Sequence, residues 1–357
     1  MSYRNRKMAT ELSERIKNLA KNQHHIFMHV CGTHENTIVQ FGLRSLLPPN
    51  IEVRSGPGCP VCVTTEIPLA VKLSTIKNVV VTTFGDMIRV PSEFGSLADA
   101  KAKGGKIKII YSLHDAIEMA KNDPKNEYVH FAIGFETTAP STAAEILANP
   151  PDNFSIICCH RLIPPAMEHL LKLGEIKIDG FICPGHVSTI IGTIPYRLLS
   201  KKYKVPQVIA GFEPNDILIG INMLLTQLAE GRAEVENEYT RSVREEGNKK
   251  AQQFMDKVFE ICDVDWRGIG VIPNSGYKLR KKFSKYDAVK KFNLKIDWRY
   301  RMPEGCRCGD VLRGLIYPQD CPLFNTVCTP MTPIGPCAVG AEGSCKIAMK
   351  YFGEKRR

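Results

Sequence analysis

No stretch of this 357-residue chain is apolar for long enough to cross a membrane. Its longest hydrophobic runs are strand-sized, such as NVVVTTF at 78–84, whereas a spanning helix needs roughly 18 to 20 apolar residues. The opening MSYRNRKMATELSERIKNLAKNQ is polar and has no signal-peptide core, so a cytoplasmic location is expected. A recognisable nucleic-acid-binding module is also missing. The net charge of +11 therefore reads as a solvated basic surface, its lysines spread along amphipathic segments, with docking of an acidic protein as the next explanation. No second C-x-x-C accompanies Cys59 and Cys62, and the late cysteines lack the closely paired knuckles that structural zinc favours.

What the chain does have is cysteine. Thirteen are too many to explain as structural disulfides in a reducing cytoplasm. Their clustering into Cys59/Cys62 and six positions between 306 and 345 points to metal or redox chemistry. The length leaves room for two or three domains of about 100 to 200 residues, each with its own core.

From residue 9 to about 232, short β-branched runs alternate with stretches of helical apolar spacing, the pattern of an α/β fold. The strand candidates are IFMHV, IEVRS, NVVVTTF, KIKIIYS, YVHFAIG, FSIICCH, DGFICPG and QVIAGF; SLHDAIEMAKND and NDILIGINMLLTQLAEGR read as helices. Strands hydrophobic along their length are covered on both faces, hence largely parallel. The expected architecture is two parallel-sheet α/β domains, 1–125 and 126–240, and a C-terminal iron-sulfur domain over 241–357. From about 296 onward Pro, Gly and Cys dominate, as in a segment ordered by bound metal.

The chemically unusual residues fall where strands end: CGTHE, GPGCPVC, GFETTAP, CCHR, CPGHVS and GFEPND. In open α/β sheets that is the ligand-binding edge. Cys31, His34 and Glu35 suit either a nucleophilic cysteine with its base or a ligand set for one metal ion, and the absence of a paired oxyanion element favours metal or redox chemistry. Cys59 and Cys62 sit at a helix start, where the dipole lowers thiol pKa and the spacing permits an exchangeable disulfide. Cys183 and His186 repeat the spacing of Cys31 and His34; Glu136, Thr137 and Thr138 place an acid and two hydroxyls at another helix start, and Glu213 reads likewise. Cys158, Cys159 and His160 close a buried strand, and Cys262 is expected in the core of the helical FMDKVFEICD. The basic KLRKKFSKYDAVKKFNLK is read as a solvated helix.

Cys321, Cys328, Cys337 and Cys345 are separated by 6, 8 and 7 residues, with Cys306 and Cys308 as a CxC upstream. Four thiolates on Pro/Gly loops suit a [4Fe-4S] cluster better than zinc. The last four are taken as its ligands because Cys306 and Cys308 lie close together and further off; either remains an alternative.

Taken in order, CGTHE, GPGCPVCVTT, GFETTAP, CPGHVS, GFEP and CRCGDVLRG through DCPLF, CTP, GPC and EGSC resemble the HypD family of [NiFe]-hydrogenase maturation scaffolds over nearly the whole chain. The resemblance implies three domains, two α/β ones facing each other over a cleft and a C-terminal one holding the cluster, and a role in building the Fe(CN)2CO group. It implies that a transient mononuclear iron carrying cyanide and carbon monoxide is held with a HypC-like small partner, at Cys31 with His34 nearby. Cyanide would arrive from a HypE-like donor supplied by HypF, and the product would pass through HypC to the hydrogenase large subunit. Cys59 and Cys62 would exchange electrons with the cluster, while Glu35, Glu136, Thr137, Thr138, Cys183 and His186 would line the cleft. The competing expectation is a cluster-linked thiol-disulfide oxidoreductase with Cys31 as resolving thiol; a zinc-ordered binding protein is a third.

Overall fold

A computed structural model of the chain describes residues 4–294 and 302–352. All eight strand candidates form strands: β1 (His25–His29), β2 (Ile51–Ser55), β3 (Val79–Thr83), β4 (Ile107–Ile109), β5 (Glu127–Gly134), β6 (Phe154–His160), β7 (Gly180–Pro184) and β8 (Gln207–Ala210). Three more follow, β9 (Val235–Asn237), β10 (Phe259–Trp266) and β11 (Gly270–Leu279). The fold is α/β, as its sequence pattern predicts, with two parallel sheets and a cysteine-rich C-terminal region. Both helix candidates are present. Leu113–Asn122 begins at a reciprocal cap between Ser112 and Asp115 and buries Leu113, Ala116, Ile117 and Ala120 on one face. Pro214–Ala229 is buried over most of its surface and packs on β7, β8 and the N-terminal helix Arg6–Ala20.

Strand order departs from chain order. One sheet runs β2-β1-β7-β8-β9 and the other β4-β3-β5-β6. The chain lays down β1 and β2, leaves to build the whole second sheet, and returns to set β7 beside β1, with Phe27 opposite Gly180. The sheets therefore do not divide at residue 125: segment 1–125 supplies two strands to each, and 126–240 completes both. Local periodicity marks where strands lie but carries nothing about which neighbour each finds across a crossover.

The third segment also differs from its sequence reading. After the helix Lys249–Val258 the chain turns directly into the antiparallel hairpin β10–β11, so Cys262 lies on a strand, half-buried, and not in a helical core. The basic stretch is not one helix. It ends β11 and continues as a 3-10 turn over Lys281–Tyr286 and a single helical turn Ala288–Lys291, while Lys295 lies outside the described residues. Among the described residues, no helix is long and apolar enough to cross a membrane.

Among the described residues the apolar core falls into three clusters, and the one with the most members runs from Met28 and Val61 through Val81 and Phe131 to Trp266, Leu312 and Ala348. The hairpin is fastened to the second sheet by Arg161, at the end of β6. This guanidinium is 1% exposed and donates to Glu66 at 2.9 and 3.0 Å, to Asp265 O at 2.7 Å and to Cys159 O at 2.9 Å. Because removing one member of a buried pair strands the other, Arg161→Met is expected to cost about 3 kcal/mol, read as a lower free energy of unfolding in urea.

Candidate functional site

Cys31 ends the extended segment after β1 and stands at the N-cap of the helix Gly32–Gln40. The loop after β2 passes directly over it. Gly58 packs so closely that a Cβ there would lie 2.2 Å from the Cys31 nitrogen, and Gly32 N–H donates to Gly58 O at 3.2 Å. The next residue, Cys59, caps the four-residue helix Pro60–Val63, and Cys59 and Cys62 are joined in a buried disulfide with a Cα separation of 5.3 Å. The C-terminal segment closes the other side. A Cβ at Gly32 would lie 2.3 Å from that of Glu342, Thr33 Oγ1 donates to Glu342 Oε1 at 3.1 Å, and Gly340 packs on Val61. Cys31, the disulfide and the cysteine-rich segment thus meet in one place.

Burial dictates the protonation there. Cys31 is buried, and that burial together with the Glu342 carboxylate pushes its thiol up to about 12 against the pull of the amides of Thr33 and His34. Without a metal it is a neutral thiol, so a metal taking this sulfur displaces a proton. The His34 ring is fully buried and lies 3.0 Å from Gly211 O and 3.2 Å from Ala210 O through Nε2. A carbonyl only accepts, so Nε2 carries the proton and Nδ1 is left as a buried lone pair without a hydrogen-bond partner. Burial and the neighbouring His29 lower its pKa to about 3. A neutral imidazole with one nitrogen fixed by backbone carbonyls and the other bare is the form in which histidine binds metals.

Glu35 occupies a different environment. It is turned into the protein, where His29 Nε2 donates to it at 2.8 Å and Arg44 at 2.7 and 3.2 Å. Burial pushes its carboxyl up, but the Arg44 charge and the His29 hydrogen bond outweigh that and leave it at about 2. Arg44 in turn lies over the Tyr317 ring, 5.4 Å from its centre, with Arg54 also over that ring at 4.2 Å. Glu35 therefore anchors the helix start to the cysteine-rich segment.

The remaining expected site residues are only partly brought together. Cys183 is buried and its thiol lies 3.4 Å from Gln207 Oε1, to which it donates. Exposed His186 stacks on Phe212 at 3.9 Å, and His34 lies against that same ring at 5.0 Å, so both histidines contact Phe212. Thr138 spends its hydroxyl on Ile133 O and Phe135 O, and Thr137 is exposed. Glu136 is buried, accepts from Ile163 N–H at 3.0 Å and leaves Oε2 without a partner; burial raises its pKa to about 7. Sequence reasoning missed Tyr196, a fully buried phenol within electrostatic reach of Cys183, Glu136 and Cys31. It also missed His29 and Arg44. All three stand outside the glycine-rich strand ends that flagged the other residues.

All six late cysteines share one neighbourhood. Cys337 Sγ lies 2.8 Å from Cys308 Sγ and within hydrogen-bonding reach of Cys345, and Cys306, Cys321 and Cys328 are close enough to act on this group electrostatically. Among the described residues, no three or more His, Cys, Asp or Glu side chains are set around a point that would hold a single ion. Six soft sulfurs, Cys306, Cys321 and Cys328 on loops and Cys308, Cys337 and Cys345 in short helical elements, fit a larger iron-sulfur object, and Cys308 touches the expected ligand Cys337 directly.

Comparison with known proteins decides the family. The HypD family profile, described as the hydrogenase formation hypA family, matches residues 7–352. The chain belongs to the HypD family. Among HypD-like relatives it is 49% identical to a putative hydrogenase expression/formation protein of Methanocaldococcus jannaschii, over 96% of this chain and 94% of that one. It is 44% identical to hydrogenase maturation factor HypD of Cupriavidus necator, covering 98% and 96%, and 44% identical to that of Rhizobium leguminosarum bv. viciae, covering 99% and 96%.

The Glu35 cluster gives a stability test. Its carboxyl is lowered on folding from 4.5 to about 2, so its contribution is complete above the unfolded value and fades as pH falls toward 2. Glu35→Gln is expected to lose about 2 to 3 kcal/mol near neutrality, with the gap to the native chain closing between roughly pH 4.5 and 2 in urea titrations.

Proposed function

We propose that this HypD-family chain is a scaffold on which one iron ion acquires two cyanides and one carbon monoxide before transfer to a [NiFe]-hydrogenase large subunit. Family membership ties the chain to hydrogenase maturation, the role named in its relatives. The finer reading rests on one observation above all: the Gly58 contact that sets Cys31 against the segment carrying the Cys59–Cys62 disulfide. Iron, as cargo, is held by the Cys31 sulfur, with the bare Nδ1 of His34 as the second donor and a HypC-like small protein completing the grip.

Cyanide arrives as a thiocyanate on a HypE-like donor, charged by HypF. Releasing cyanide from sulfur takes two electrons, leaving cyanide and a thiolate. The reduced pair Cys59 and Cys62 supplies both electrons and two protons as it closes to the disulfide. Cys321, Cys328, Cys337 and Cys345 would hold a [4Fe-4S] cluster, which would supply one-electron transfer in the neighbourhood of the Cys59–Cys62 pair. Tyr196, buried within electrostatic reach of Cys31, Cys183 and Glu136, helps keep bulk water out of this region.

Infrared spectroscopy of the complex, purified without oxygen alongside its partners, tests this. Cyanide and carbon monoxide stretches are expected in the native complex and absent with Cys31→Ala. Cys59→Ala or Cys62→Ala is expected to retain the cluster absorption and lose cyanide attachment. Native-level cyanide bands in either variant make the disulfide structural. Cys337→Ala is expected to lose the visible absorption and about four irons per chain; retention of both assigns the cluster elsewhere.

A further inference from the structure

His34 Nε2 is held between the two carbonyls on either side of the Gly211 Cα, Ala210 O at 3.2 Å and Gly211 O at 3.0 Å. Gly211 follows β8, and its own N–H donates to Glu238 Oε2 at 2.9 Å. That N–H and the Ala210 carbonyl belong to one trans peptide and point in opposite directions, so Glu238 and His34 grip opposite edges of it. The sheet brings Glu238 there. It follows β9, whose Asn237 lies beside Ile209 of β8, and its backbone N–H continues that ladder to Ile209 O at 2.9 Å. The Glu238 side chain is 4% exposed, and its other oxygen lies 3.7 Å from Arg241, which also pairs with the buried Asp216. Only glycine fits at 211, since a Cβ would lie 2.1 Å from Asp216 Oδ2 and 2.7 Å from the Tyr239 ring. The residue between the two carbonyls is thus the one with the freest backbone, and the Glu238 hydrogen bond restrains it.

We propose that Glu238 is a positioning residue for His34: by pinning the Gly211 N–H it keeps both carbonyls on Nε2 and so keeps Nδ1 bare. The inference rests on the reading of His34 Nδ1 as an iron donor given above. A neutral imidazole carries one proton, so carbonyls that turn away from Nε2 let that proton pass to Nδ1, where it blocks the donor. Groups one step behind a histidine ligand typically govern roughly ten- to a hundredfold in metal affinity. What matters at Glu238 is the reach of its oxygen to the N–H, more than its charge.

The test follows the His34 ring by nitrogen NMR in the full chain carrying isotope-labelled histidine, where a protonated ring nitrogen and a bare one are distinct and the His34 signals are those lost in His34→Ala. The native chain is expected to show a protonated Nε2 and a bare Nδ1. Glu238→Ala is expected to bring in a population protonated at Nδ1. Glu238→Asp, whose carboxylate falls one methylene short, is expected to do the same and decides the matter if Glu238→Ala does not fold. Glu238→Gln, which keeps an oxygen at the same reach, is expected to stay native. A ring that keeps Nδ1 bare in the folded Ala and Asp variants overturns the role of Glu238. Anaerobic titration of the same chains with Co2+ is read as the sulfur-to-cobalt absorption that Cys31→Ala abolishes, and its affinity is expected to fall at least about tenfold where the proton moves. No such absorption in the native chain, or one that His34→Ala leaves unchanged, instead overturns the iron reading on which the inference stands.

Discussion

Backbone lies on backbone where Gly58 crosses Cys31, and most of the site depends on that contact. With a Cβ position only 2.2 Å from the Cys31 nitrogen, no other residue fits without moving one loop off the other. The contact fixes how the β2 loop leaves its sheet, and so where the Cys59–Cys62 helix begins. The C-terminal segment then seats against both, at Gly32 and at Val61. Three stretches, two of them close in sequence and the third hundreds of residues away, are held together chiefly by shape, through positions where a side chain is missing.

Shape brings a consequence for chemistry, because a site this dry holds its groups neutral. Burial raises Cys31 and Glu136 and lowers His34, so thiol, carboxylic acid and imidazole all favour their uncharged forms. The charges retained inside are paired or hydrogen-bonded: Glu35 with Arg44 and His29, Arg161 with Glu66. Such pairs are costly to break and contribute modestly when intact, which suits them to fixing geometry. Anything bearing negative charge that enters this space is poorly screened and meets few solvent dipoles.

The strands were legible because each is a short β-branched run ended by glycine or by polar residues; VVVTT of β3 is buried along its whole length. Their neighbours were not, since β1 pairs with β7 across a crossover more than a hundred residues long that no local pattern encodes. Alternation also failed past residue 258, where FEICDVDW of β10 continues a helix without a glycine or proline between them. Within the candidate site, motif and spacing singled out Cys31, His34 and the Cys59/Cys62 pair, and the fold brings Cys31 against the segment carrying that pair. They misplaced Glu35, since a carboxylate one residue from a candidate ligand looks like part of the set until Arg44 and His29 are seen to claim both its oxygens. Tyr196 left no trace in sequence because a single aromatic at the start of a helix is ordinarily core.

The detour of the chain between its two sheets has a bearing on when the Cys31 pocket comes into being. β1 and the CGTHE turn are made early, but β1 waits for Gly180–Ile182 before its second edge is covered. His34 waits for the carbonyls of Ala210 and Gly211, and Gly32 for Glu342 near the far end of the chain. A nascent chain therefore exposes Cys31 as an ordinary, solvated thiol for most of its synthesis. The dry environment that distinguishes it is completed only when the segment around Glu342 seats against Gly32.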